Sequence, residues 1–155
     1  AHAVKLEGGT KVVPQIEKLI SAGIPVMGHL GLTPQSVHAL GGFKVQGRGA
    51  DAARIISDAK ALEAAGVFAL VLELVPAELA TQITKELSIP TIGIGAGAGC
   101  DAQVLVWTDL MGITKSAPKL AKAYRNLRVE MTEAAKEFAA DVSSGQFPGP
   151  EQTFN

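Results

Sequence analysis

Phe68-Ala69-Leu70-Val71-Leu72-Glu73-Leu74-Val75 is the stretch on which the reading of this chain turns. It is apolar on both alternating faces. That is the pattern of a parallel strand covered by helices, not of a half-exposed antiparallel one. Glu73 interrupts it near its C-terminal end. An unpaired buried carboxylate pays a large desolvation penalty or becomes protonated, so a carboxylate kept in such a strand needs a reason. The functional reading is a general base with a raised pKa. The alternative is a structural carboxylate bonded to nearby backbone N–H groups or to an arginine.

The same alternation of short apolar runs and helical runs extends in both directions. Ala3–Glu7, Pro25–Leu30, Pro90–Ile94 and Val104–Trp107 read as further strands. Between them, Val12, Val13, Ile16, Leu19 and Ile20 recur at helical spacing, with Pro14 in the first turn and Gly23 as a stop. A second helix is predicted from Asp51, a plausible N-cap, to Gly66, with Ile55, Ile56, Ala59 and Leu62 inward. A third begins with Pro76 in its first position and runs through Leu79, Ile83 and Leu87. A last helix is expected from Leu120 through Tyr124, Leu127, Met131 and Phe138 to Val142. Strand–helix repetition with short links means an α/β fold. Five strands are too few for a complete eight-stranded barrel. A small doubly wound sheet and a truncated β/α barrel therefore both fit the pattern. In either, chemistry belongs at the C-terminal ends of the strands.

Composition narrows the function classes. The 155 residues are 47% hydrophobic and 19% charged, enough for a sizeable core. A net charge of −1 without a basic stripe argues against nucleic-acid binding. Cys100 is the single cysteine, so no internal disulfide forms. No apolar run reaches the roughly 18 residues of a membrane span. A soluble, cytoplasmic protein is the default reading. The chain opens on Ala1 and enters a strand almost at once, which reads as a cut inside a longer protein.

Other candidates lie at strand ends. Lys5 and Glu7 are two apart, so both side chains share one face of the first strand. Lysine can hold a substrate carboxylate and glutamate can help hold a metal; the alternative is an exposed ion pair of little value. His29 closes the second strand and can bond substrate or carry a proton, or serve as a hydrogen-bonded structural histidine. Gly93, Gly95, Gly97 and Gly99 form a turn that fails the G-x-G-x-x-G pattern. The turn reads as a place where backbone approaches another group closely, with a phosphate site as the alternative. Residues 41–49, with Lys44 and Arg48, read as a lid or a subunit contact.

Taken together, these segments resemble ketopantoate hydroxymethyltransferases. The resemblance is carried by Val4-Lys5-Leu6-Glu7-Gly8-Gly9, by Gly28-His29-Leu30-Gly31-Leu32-Thr33-Pro34-Gln35-Ser36-Val37 and by Gly41-Gly42-Phe43-Lys44-Val45-Gln46-Gly47-Arg48. Leu72-Glu73-Leu74-Val75-Pro76, Ile92-Gly93-Ile94-Gly95-Ala96-Gly97 and Phe147-Pro148-Gly149 continue it. It implies a TIM-type (β/α)8 barrel of the phosphoenolpyruvate/pyruvate superfamily. Residues 1–155 would form one partial barrel domain holding about the last five strands and the C-terminal helices. It implies transfer of a hydroxymethyl group from 5,10-methylenetetrahydrofolate to 3-methyl-2-oxobutanoate, giving ketopantoate for pantothenate synthesis. The implied cofactor is Mg²⁺, which would stabilise an enolate. Glu73 matches the family's base, Lys5 and His29 its substrate-binding residues, and Glu7 its metal-associated glutamate. The partners implied are the keto-acid and further copies in a homo-oligomer, commonly a decamer. The family's two metal-binding aspartates lie on earlier strands and have no counterpart here, so the chain alone is expected to be inactive. The rival readings are a C–C lyase of the same superfamily, a non-catalytic phosphate-binding module, and a structural or interaction fragment that binds no ligand.

Overall fold

A computed structural model describes residues 1–154, which form two compact units, one of residues 1–104 and one of residues 105–154. The first unit is a five-stranded, all-parallel sheet in sequential order, β1 to β5. Its strands are β1 (Val4–Glu7), β2 (Val26–Gly31), β3 (Ala69–Glu73), β4 (Thr91–Ile94) and β5 (Ala102–Gln103). The connections carry α1 (Val13–Ser21), α2 (Asp51–Ala64) and α3 (Ala77–Glu86). Sequential parallel order with a helix in three successive crossovers is the α/β architecture that the alternating pattern implies.

Strand register separates two faces. Glu7 lies opposite His29, His29 opposite Val71, and Gly31 opposite Glu73. Because side chains alternate, Lys5, Glu7, His29 and Glu73 all stand on one face. The other face carries Val26, Leu30, Leu70 and Leu72, which pack with Ile16 of α1, Ile55 and Leu62 of α2, and Leu79 and Ile83 of α3. The hydrophobic core thus lies between sheet and helices, and the polar quartet is on the face turned away from it. Fully burying each such Leu or Ile contributes about 1.5–3 kcal/mol. This layer therefore supplies the rigidity on which the opposite face is built.

Several expected boundaries shift. The strand expected at Val104–Trp107 is absent. The strand forms instead at Ala102–Gln103, paired with Ile92 and Gly93. β4 ends at Ile94, so this register leaves no parallel partner for residues beyond Val104. Val104 makes one last bond to the Gly93 carbonyl, at 3.0 Å, and Trp107 starts a short helix, α4 (Trp107–Leu110). The sheet edges are therefore β1 and β5.

Pro76 is the N-cap of α3 and not its first residue. Asp51 is the first residue of α2 and not its cap. Its carboxylate accepts the Gly47 N–H at 2.9 Å from inside the helix.

In the second unit the long helix α5 runs from Leu127 to Ser144, beginning later than Leu120. Tyr124 N–H donates to the Leu110 carbonyl and Leu127 N–H to the Met111 carbonyl. The backbone N–H groups of Tyr124 and Leu127 are thus bonded to the C-terminal end of α4. Gly145 ends α5 in the left-handed conformation, φ 74°, and Phe147 packs edge-on against Phe138.

Candidate active site

Glu7, His29 and Glu73 meet at the C-terminal ends of three adjacent strands, with Lys5 beside them. His29 is the centre of the group and is 1% exposed. Its Nδ1 lies 3.3 Å from Lys5 Nζ and 3.6 Å from Glu7 Oε1. Its Nε2 lies 3.1 Å from Glu73 Oε2. That last approach is close in distance but lacks hydrogen-bond alignment, so Nε2 is left as a buried polar atom without a partner.

The tautomer of His29 follows from the chemistry of its neighbours. An ammonium has donors and no acceptor, so a bond between Lys5 and Nδ1 requires the Nδ1 lone pair. The neutral ring then carries its proton on Nε2, facing Glu73. The arrangement presents a cation, two carboxylates and a ring N–H to one space. Such a set can bind a carboxylate-bearing substrate and take a proton from it.

Local structure fixes each member. Glu7 ends β1, and its Oε2 accepts the Gln35 N–H at 3.0 Å, from a short 3₁₀ turn at Pro34–Ser36. The turn after Glu7 is held by Asp58 of α2, which accepts from Thr10 N–H at 2.9 Å and from the Thr10 hydroxyl, and pairs with Arg54 at 3.1 Å. Gly9 lies against that carboxylate so closely that any β-carbon would collide with it. Arg54 also pairs with Asp51. The guanidinium hydrogen bond to Asp51, followed by the Gly47 N–H, holds the Asp51 carboxyl below its usual range.

The four residues singled out in the sequence are therefore brought together. Sequence reasoning missed Asp58 and Gln35. Asp58 was findable, since a carboxylate falls among the inward residues Ile55, Ala59 and Leu62 of α2. The Gln35 contact uses a backbone N–H and left no signal in residue type.

Two other candidates fall outside the group. The glycine turn packs on α3: a β-carbon at Gly97 would lie 2.5 Å from Ala77 Cβ, and one at Gly99 would overlap Thr81. Close backbone approach accounts for these glycines. The 41–49 segment is tied at its end, where Gln46 N–H donates to the Leu74 carbonyl at 2.9 Å. Among the described residues no group of three or more His, Cys, Asp or Glu side chains is placed to hold a metal ion, and no helix is long and apolar enough to cross a membrane.

Comparison with known proteins places this geometry in context. The family model of ketopantoate hydroxymethyltransferase matches residues 1–150. A 3-methyl-2-oxobutanoate hydroxymethyltransferase of Nocardioides sp. is 57% identical over 155 residues, covering 99% of this chain and 52% of the relative. The same-named protein of Acidothermus cellulolyticus is 60% identical over 148 residues, covering 95% of this chain and 55% of its own length. That of Thermobifida fusca is 56% identical over 155 residues, with 99% and 55% covered. The chain spans about half the length of the curated relatives it matches. With its motifs in order and its strand-end quartet assembled, the chain belongs to the ketopantoate hydroxymethyltransferase family.

Proposed function

We propose that these residues form part of an active site that transfers a hydroxymethyl group from 5,10-methylenetetrahydrofolate to 3-methyl-2-oxobutanoate. Water supplies the hydroxyl oxygen, and ketopantoate and tetrahydrofolate leave. The observation that carries the reading is the convergence of Lys5, Glu7, His29 and Glu73 on one face at the ends of three strands. Glu73 takes the proton from the carbon beside the ketone, leaving an enolate whose carbon accepts the one-carbon unit. Lys5 offsets the charge of the substrate carboxylate, and the His29 Nε2–H is the free donor for a substrate oxygen.

The five sequential parallel strands support a partial (β/α)8 barrel of the phosphoenolpyruvate/pyruvate type; family membership is what supports reading it as part of a cytoplasmic homo-oligomer. Mg²⁺ requires near-octahedral oxygen ligation. The residues described here do not assemble such a set, and Glu7 is the one carboxylate they would lend to it. No step above is therefore routed through the ion. The chain by itself is expected to turn over little or no substrate.

The experiment joins this chain to the half of the Nocardioides relative that it does not match. Deuterium exchange at C3 of 3-methyl-2-oxobutanoate is then followed. Glu73→Gln should lower exchange by about 10²–10⁴-fold. Exchange by E73Q at the parent rate would remove Glu73 as the base.

A further inference from the structure

β3 ends at Glu73 and α3 begins at Ala77, so three residues must turn the chain. Two of them have little freedom. Pro76 is fixed by its ring and stands at φ −55°, ψ 138°. Val75 precedes a proline, which drives it toward extended backbone, and its side chain is buried in the core. The turn falls on Leu74, at φ +47°, the one non-glycine residue with positive φ among the described residues.

A leucine is disfavoured there, because its β-carbon crowds the following carbonyl. The surroundings impose the conformation. Leu74 N–H donates to the Ile94 carbonyl at 2.9 Å, and the Leu74 carbonyl accepts the Gln46 N–H at 2.9 Å. One residue earlier, the Glu73 carbonyl accepts the Leu32 N–H at 2.8 Å. Gly31 presses so near that carbonyl that a β-carbon would overlap it. A left-handed residue bonded through both its amide and its carbonyl, directly after the carboxylate of a strand-end cluster, is the kind of outlier that accompanies function.

We infer that the left-handed backbone of Leu74 is a positioning device for Glu73. It stops the strand at the carboxylate-bearing residue and anchors Glu73 between Leu32 and Ile94. It also presents its own carbonyl to Gln46, so the 41–49 segment is registered to the same strand end. The Leu74 side chain takes no part in the chemistry; the residue acts through the backbone it shares with Glu73. This inference rests on the reading of Glu73 as the proton acceptor.

The test is a series at position 74 in the joined protein described above, with kcat and KM measured for deuterium exchange and Tm measured in parallel. Leu74→Val and Leu74→Ile put β-branched residues where left-handed backbone is hardest to hold. They should lower kcat by about tenfold to a hundredfold and move KM by less than about threefold. Leu74→Asn tolerates the conformation and should restore kcat to within about threefold of the parent, although it lacks the apolar side chain. If L74V and L74I do not fold, Leu74→Gly carries the comparison. It removes the side chain and keeps the turn, so it should hold kcat within about fivefold.

An active parent in which L74V equals wild type, or in which L74N or L74G loses as much as L74V was expected to lose, overturns the inference and leaves Glu73 as the base. A folded parent without exchange overturns the functional reading itself, and this inference with it.

Discussion

The Nε2 of His29 and the Oε2 of Glu73 stand 3.1 Å apart across strands β2 and β3, close enough to interact but not aligned to bond. On its other side the ring meets Lys5 Nζ at 3.3 Å. The imidazole is thus held between a donor that claims its lone pair and a carboxylate that faces its proton.

The tautomer can be observed directly. Long-range ¹H–¹⁵N correlation spectra of the histidine rings should show His29 protonated at Nε2. Lys5→Met removes the donor to Nδ1 and should release the ring into a tautomer mixture. A wild-type ring protonated at Nδ1 would mean that Lys5 does not bond the ring and that Glu7 holds it instead.

Asp58 should matter more for stability than its place on a helix implies. It is 8% exposed and bonds the Thr10 N–H, the Thr10 hydroxyl and Arg54. Asp58→Ala leaves the Thr10 donors unmatched and should cost about 2–3 kcal/mol by urea denaturation. The turn after Glu7 should also loosen, seen as faster hydrogen exchange at Thr10. A change below about 0.5 kcal/mol would show that water replaces the carboxylate freely.

Acid should weaken the first unit partly through Asp101. Its carboxylate accepts the Thr91 N–H at 2.8 Å and the Thr91 hydroxyl at 3.1 Å; the backbone bond is the larger cause, and together they lower its pKa. A carboxyl whose pKa falls on folding adds stability that is full above its ordinary value, near pH 4. That stability drains as pH falls through the lower folded value. Asp101→Asn should therefore flatten the acid limb of the stability curve below about pH 4 and leave its shape near neutrality unchanged. Parallel acid limbs in the two proteins would refute the assignment.

Gly97 tests the reading of the glycine turn. A β-carbon there meets Ala77 at 2.5 Å, and the backbone stands at φ 77°. Gly97→Ala should destabilise the fold by about 1–3 kcal/mol, measured by denaturation, and Gly97→Ala with Ala77→Gly should recover part of the loss. An unchanged Gly97→Ala variant would mean that the turn has room and that its glycines serve something else.

Much of the fold was readable because it rests on local pattern. The four strands from β1 to β4 lie within one or two residues of the apolar runs, since hydrophobic alternation and flanking glycine or proline are properties of the segment itself. β5 and the start of α5 were misplaced for the opposite reason. Val104-Leu105-Val106-Trp107 is a good strand sequence, but a strand needs a neighbour, and β4 ends too soon to supply one. Leu120 and Tyr124 keep helical spacing with α5, yet Tyr124 finds its backbone partner at Leu110.

Residue type and spacing by themselves determined that Glu73 is a carboxylate in an apolar strand and that Lys5 and Glu7 share a face, because both facts follow from chain geometry within one element. That His29 stands between Glu7 and Glu73 was decided only by the register of three strands far apart in sequence. The left-handed turn at Leu74 belongs wholly to the tertiary structure. Leucine disfavours that conformation on its own, and only the carbonyl of Ile94, the amide of Gln46 and the constraint from Pro76 together make it the place where the chain turns.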